Sequence, residues 1–326
     1  MKPSAVYLST LFGFALGAAL WLAAVFAQLG GPTESSRWIA EVYDRKTAAA
    51  NRVAGPKLLV VSGSNGHFGV RAEELAREAG MPAVNFATHA GLGLDYVLHR
   101  ARGVVRRGDV VVMPIEYELY VDDGSLNVIS LDYLLARDPA YLRSLPLHVQ
   151  LNALFAVAPD RVWDGLVSKY QGPKRLSTGY QAETLNPVGD ETANDAAHRT
   201  PAYERAVATA GPIAVPTVAK GLHPHARARL AEFARFCREA GATMVVSYPS
   251  TIAFDRYHTP EATPFFQAIR ATFDELGVPV VGEPKDTMYE RAGFFDTRYH
   301  LTREMASVRT RTLMSGLRPY LKKRRG

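Results

Sequence analysis

The sequence predicts an α/β fold: a three-layer α/β/α sandwich around a mainly parallel sheet, preceded by an N-terminal transmembrane helix. Three observations carry that expectation. Short runs such as KLLVV (residues 57–61) and DVVVMPI (109–115) are rich in Val and Leu and show no polar alternation, as strands buried on both faces of a parallel sheet do. Helical patterns separate these runs, and strand–helix alternation builds layered α/β domains. Finally, residues 5–29 read AVYLSTLFGFALGAALWLAAVFAQL, without a charge, long enough to cross a bilayer as one helix.

Taken in order, residues 1–30 are the anchor. Val25-Phe26-Ala27 also resembles a small-residue cleavage site, but the apolar run exceeds a usual signal core. Lys2 precedes it and Arg37, Arg45 and Lys46 follow it, so flanking basic residues do not orient it. Residues 31–56 connect it to the sheet through an amphipathic helix (36–54) with Trp38, Ile39, Val42 and Tyr43 toward one face. The α/β domain is then 57–326. Strand one (57–61) runs into the turn-forming SGSNG and a helix, VRAEELAREAG, that Gly80 caps. PAVNF (82–86) is strand two and leads into ATHAGLG. LDYVLHRARGVV is a helix, and strand three (109–115) precedes Glu116-Tyr117.

From about 125 to 210 the rhythm stops, and this stretch is read as an insertion. Residues 131–170 show short helical patterns broken at Pro139, Pro146 and Pro159, and 171–199 form a polar segment rich in Gly, Asn, Thr and Asp. Such long excursions often serve as lids or partner surfaces. The rhythm resumes with a helix (224–240), strand TMVVS (243–247), a helix (260–276), a short strand (278–281) and a closing helix (301–317).

Composition narrows the function. The chain has 326 residues, 47% apolar, enough for one sizeable core with appendages. The net charge of +6 includes the tail Lys322-Lys323-Arg324-Arg325, read as a solvated end. Elsewhere the signs are mixed, so no nucleic-acid footprint is present. The single cysteine, Cys237, excludes an internal disulfide and a cysteine-based metal site.

Ser64 falls on the turn after strand one, at the sheet edge where open α/β sheets bind ligands. As a bland alternative, these serines only cap a helix. Gly63, Gly66 and Gly69 give GxxGxxG rather than GxGxxG, and no acidic residue ends a clear second strand, so no nucleotide cofactor is expected. An α/β-hydrolase elbow requires GxSxG, and Ser62 stands at its first glycine. The SGSN block, together with FFDTRYHLT (294–302) just before the last helix, resembles the SGNH/GDSL hydrolase superfamily. It looks most like the membrane-anchored branch that includes the D-alanyl-transfer protein of teichoic acid modification and the alginate O-acetylation proteins.

The resemblance implies a nucleophile at Ser64, a general base at His300, an orienting carboxylate at Asp296 and an oxyanion-hole glycine at Gly91. It departs from the family in three places. Gly63 replaces an aspartate, three residues rather than two separate Asp296 from His300, and Glu116-Tyr117 stand where Gly-x-Asn-Asp is usual. A carboxylate at Glu116 would repel an oxyanion, so Asn65 and the Tyr117 hydroxyl are the substitute donors and Glu116 is expected to pair with Arg298 or Arg309. His67 and His89 also end strands, but no spacing recommends a metal site.

By resemblance, the chain acts in acyl-ester chemistry: O-acyl transfer to, or removal from, an envelope polysaccharide. It would sit in the inner membrane as a single-pass protein with its domain in the periplasm, beside a membrane-bound O-acyltransferase. The alternative is a non-catalytic binding or assembly protein of polysaccharide export, which the absent aspartate and asparagine favour.

Overall fold

The computed structural model describes residues 3–172, 180–213 and 221–322. Most of the basic tail and residues 173–179 of the polar segment lie outside the described residues. Helices α1 (Pro3–Gln28) and α2 (Glu34–Arg52) come first, then β1 (Leu58–Val60), α3 (Ser64–Gly69), α4 (Ala72–Ala79), β2 (Ala83–Asn85), α5 (Leu94–Arg102) and β3 (Val110–Met113). Helices α6 (Val128–Arg137), α7 (Pro139–Ser144), α8 (Leu147–Ala156), α9 (Pro159–Gln171), α10 (Pro201–Thr209) and α11 (Pro224–Glu239) follow. The chain ends with β4 (Thr243–Ser247), β5 (Thr251–Ile252), α12 (Thr263–Glu275), β6 (Val280–Val281), β7 (Met288–Tyr289) and α13 (Arg303–Lys322). They form two compact units, Met1–Ala40 with Ser125–Gly179 and Glu41–Gly124 with Tyr180–Gly326.

The second unit is a parallel α/β sandwich. Its five-stranded sheet has the order β2-β1-β3-β4-β6, with every neighbouring pair parallel. Leu58 lies opposite both Ala83 and Val110. This is the doubly wound, flavodoxin-like order, whose switch point falls between β1 and β3. Along each strand successive side chains point to opposite faces. Leu58, Val60, Val110, Val112 and Val245 therefore share one face, packed on Leu75 of α4 and Leu313 and Leu317 of α13. On the other layer α5 and α11 pack together, and α11 lies on β4. At the amino ends of β1 and β3, Lys57 and Asp109 form a fully buried ion pair at 2.7 Å. Asp109 also accepts from the Lys57 and Arg106 backbone N–H groups, so neither oxygen is left bare.

Local pattern and structure part at the first crossover. The sequence predicts a turn at 62–66 and one helix after Gly69; the chain instead forms α3 from Ser64, breaks, and restarts as α4. The donors explain this. Gly66 N–H donates to Ser62 Oγ at 3.0 Å, supplying an acceptor to the first turn of α3. The first turn of α4 is capped by Asp190, which accepts from Ala72 N–H (2.6 Å) and Glu73 N–H (3.0 Å) from 118 and 117 positions away. Gly80 ends α4 in the left-handed conformation (φ 64°), as expected. A further parallel pair, β5 with β7, is two residues long on each side, too short to leave a periodic signal.

The first unit holds α1, the start of α2, and α6 to α9. The prolines start its helices: Pro139 and Pro159 occupy first-turn positions, and Pro146 caps α8. Asp132 anchors the unit by accepting from Thr33 Oγ1 (2.6 Å) and Ser35 Oγ (2.8 Å) and pairing with Arg161. Val6–Gln28 of α1, 23 residues, is long and apolar enough to span a membrane. Its early side chains, Leu8, Phe12 and Phe14 among them, are exposed.

Candidate functional site

Strand β1 delivers Ser64 as the first residue of α3, half-buried and just past the switch point. Gly63 before it is fixed by a close approach. A Cβ there would lie 2.4 Å from the backbone nitrogen of Ala90, in the short 3-10 turn that follows β2. The aspartate of the SGNH block has no room at this position.

Glu116, after β3, faces this turn. Its Oε2 accepts from Gly63 N–H at 3.0 Å and its Oε1 from Asn65 N–H at 2.6 Å. Burial pushes its carboxyl up to about 7, against those two bonds, which favour the ionised form. The expected ion pairs are not made. Arg309 donates to Ser247 Oγ (2.7 Å) and Tyr248 O (2.9 Å), and Arg298 to Gly211 O (2.8 Å). Backbone amides, rather than a guanidinium, compensate Glu116.

Of the expected oxyanion donors, Asn65 and Gly91 are engaged elsewhere, and the Tyr117 hydroxyl is buried without a hydrogen-bond partner among the described residues. Asn65 gives its amide hydrogens to Ser250 O (2.8 Å) and Tyr299 O (3.3 Å), and its Oδ1 accepts from Ser250 N–H (3.3 Å). It is a buried clamp between loops, not a free donor. Tyr117 is fully buried, with its ring 5.5–6.0 Å from those of Tyr257, Phe265 and Phe266, so it belongs to an aromatic core. Gly91 N–H donates to His89 Nδ1 at 2.9 Å, within its own loop.

Asp296 and His300 meet on one loop, closed by an antiparallel bridge between Phe294 and Leu301. Thr297 Oγ1 accepts from the N–H groups of Tyr299 and His300, both at 3.2 Å. His300 Nδ1 lies 2.7 Å from Asp296 Oδ1, and the Tyr180 hydroxyl donates to Asp296 Oδ2. Burial would raise the Asp296 carboxyl, but the charge and hydrogen bond of His300 and the bond from Tyr180 outweigh it and hold it low. Phe68 stacks on His300 with centroids 4.2 Å apart and planes 18° from parallel. A proton on Nδ1 facing Asp296 leaves Nε2 as the basic nitrogen. Ser64 Oγ makes no hydrogen bond to a described residue, His300 included.

Sequence reasoning missed a buried chain beside this pair. Lys46 of α2 donates to Ala87 O and lies 3.0 Å from His67 Nδ1. His67 Nε2 is 3.3 Å from Glu191 Oε2. Glu191 also accepts from Thr184 Oγ1 (2.8 Å), Thr192 N–H (2.9 Å) and Ala193 N–H (2.8 Å). Burial brings Lys46 down to about 7, opposed by Asp190 and Glu191. Burial, then the charge of Lys46, brings His67 down to about 4, so it is neutral at pH 7 and carries its proton toward Glu191. Burial also brings His89 down to about 4, with smaller contributions from His300 and His67. His67 and His300 both pack on the Phe68 ring, with centroids 4.6 and 4.2 Å away. Among the described residues no cluster of His, Cys, Asp and Glu is arranged to hold a metal ion.

A signal for Lys46 was present: it continues the apolar stripe of Ile39, Val42 and Tyr43 on α2. None existed for Glu191, which the sequence places in a polar loop. The described part of that segment, 180–199, is a loop with two short 3-10 turns, and several of its polar residues are interior. Asp190, Glu191 and Asn194 are buried, and Val188 O accepts from Asn85 N–H at the edge of β2 (2.9 Å). Residues 180–199 are built into the second unit.

No family model matches the chain, and no curated protein matches it. Among solved structures it is similar to protein YxiM from Bacillus subtilis, with 11% identity and a TM-score of 0.36, over 82% of this chain and 57% of that one. The chain spans little more than half the length of that structure, and a likeness of this degree carries no argument about activity.

Proposed function

We propose that the chain is a membrane-anchored serine enzyme of SGNH type acting on acyl esters. The observation that carries this reading is the buried Asp296–His300 pair, braced by Tyr180 and Phe68, in the unit that presents Ser64 past the carboxyl end of β1. Ser64 Oγ attacks the acyl carbonyl while His300 Nε2 takes its proton, and Asp296 supports the imidazolium. His300 then returns the proton to the departing oxygen, leaving the acyl group as an ester on Ser64. A sugar hydroxyl, for transfer, or water, for hydrolysis, attacks that ester through the same base. Nucleophile–base contacts are often long before substrate binds, which accommodates the unbonded Ser64 hydroxyl.

The finer reading is O-acyl transfer to, or removal from, an envelope polysaccharide. The domain would lie outside the cytoplasmic membrane, and a membrane-bound O-acyltransferase would supply the acyl group. The apolar α1 supports the anchor; the acceptor and the partner rest on the family resemblance alone. A non-catalytic binding role is the second reading, and the backbone contacts favour it. Glu116 occupies the amides on both sides of Ser64, and His89 occupies that of Gly91.

Two measurements separate these readings. On the enzyme reading, a fluorophosphonate probe labels the wild type at Ser64, and Ser64→Ala and His300→Ala each abolish acyl turnover on the polysaccharide at matched protein levels. Members of one catalytic unit lose similar amounts singly. Asp296→Asn costs less than either, yet still several orders of magnitude. Unchanged acylation in cells carrying Ser64→Ala and His300→Ala eliminates the enzyme and leaves the binding role.

A further inference from the structure

The exposed apolar residues of the first unit do not end with α1. On α8, Leu147, Leu151 and Phe155 are 69%, 46% and 81% exposed. They recur every four residues and so share a face. On α9, Trp163 and Tyr170 are 67% and 89% exposed. Such a patch on a monomer marks an interaction surface, and its depth along α1 says what covers it.

Helix α1 packs on α9, and Trp21 Nε1 donates to Leu154 O of α8 at 3.2 Å. Trp21 is seven residues before Gln28, about 10 Å along a helix axis. A hydrocarbon core takes about 20 helical residues, whereas the apolar stretch of α1 has 23. Hardly a turn of α1 is spare, so Trp21 lies within the bilayer, and Leu154 and Phe155 are held at its level. Basic groups sit at the end of α1. Lys169 donates to Ala27 O, and Arg161 to Gln28 Oε1 and Gly31 O, the height of lipid headgroups.

We infer that α8 and α9 form a monotopic seat in the membrane beside α1. Leu147, Leu151 and Phe155 enter the acyl region, and Trp163 and Tyr170 lie in the headgroup layer. The occupant of the exposed face is lipid. The inference rests on α1 being a membrane span and goes beyond the proposed chemistry.

The test uses full-length Cys237→Ala protein in nanodiscs of phosphatidylethanolamine and phosphatidylglycerol. Single nitroxide labels go at Leu151→Cys and Phe155→Cys, with Phe14→Cys on α1 and Arg235→Cys on α11 as references. Labels at 14, 151 and 155 should relax several-fold more with oxygen than with a water-soluble nickel chelate, and the label at 235 the reverse. A lipid-like signal at 14 with chelate access at 151 and 155 overturns the seat while sparing the anchor. Dipolar broadening at 155 overturns it in favour of a second copy. Chelate access at 14 overturns both the anchor and the seat.

Discussion

Glu116 and Lys46 are buried side by side with the candidate site, and burial moves their protonation in opposite charge senses. Glu116 rises from 4.5 to about 7. Its folded form binds the proton more tightly than the unfolded chain does, so its stabilising contribution is complete below about pH 4.5 and is lost as pH rises toward 7. The full swing corresponds to about 3 kcal/mol. Lys46 falls from 10.5 to about 7. Its folded form binds the proton less tightly, so its contribution improves as pH rises from 7 to 10.5 and is lost as pH falls back through 7. The two windows do not overlap. Thermal midpoints of the full chain in detergent are followed by near-ultraviolet circular dichroism from pH 4 to 10. The wild-type minus Glu116→Gln difference should fall as pH rises from 4.5 to 7, because the opposite slopes of His67 and His89, both held down to about 4, are common to the two proteins and cancel. The midpoints should lose the alkaline-side slope in Lys46→Met. If both variants track the wild-type profile, burial does not shift these two groups.

At the scale of elements, the first crossover makes a sharper demand. Introducing an aspartate through Gly63→Asp brings a Cβ to within 2.4–2.5 Å of the backbone and side chain of Ala90. Backbone cannot give way as a flexible side chain can, so the substitution should destabilise by about 1–3 kcal/mol or more, and Gly63→Ala nearly as much. An unchanged thermal midpoint in both variants would show that the two loops leave room for a Cβ at position 63. The same crossover shows what could be read in advance. Strands β1 and β3 were legible because burial on both faces leaves unbroken runs, LLV and VVVM. Helix α3 was not, because its start depends on Ser62 Oγ and on Glu116, which is 53 positions from Gly63. The contact between Asp296 and His300 is readable because one loop carries both. The chain from Lys46 through His67 to Glu191 is not, since its contacts join residues 21 and 124 positions apart.

For the whole molecule the deciding questions are whether α1 anchors the chain in a membrane, as proposed, and which side of that membrane the α/β unit then occupies. Apolar side chains of α1 such as Phe14 (83% exposed) and Leu8 (73%) have no protein partner covering them. Such exposure sets α1 apart from a buried core helix; the proposed membrane span and a signal segment both have it. The flanking basic residues, Lys2 before α1 and Arg37, Arg45 and Lys46 after it, give no strong bias of their own, and Lys46 is committed to the interior of the second unit. Orientation therefore has to be measured. If polysaccharide acyl chemistry is the function, an alkaline phosphatase fused after Gly326 should be active, a fluorescent protein of the kind that matures only in the cytoplasm should stay dark there, and both fusions should remain in the membrane pellet after alkaline extraction. Release into the soluble periplasmic fraction would mean that residues 1–30 are removed as a signal. An inactive phosphatase with a bright fluorescent fusion would place the α/β unit in the cytoplasm, away from any envelope polysaccharide, and would sink the proposed substrate even if Ser64 were reactive.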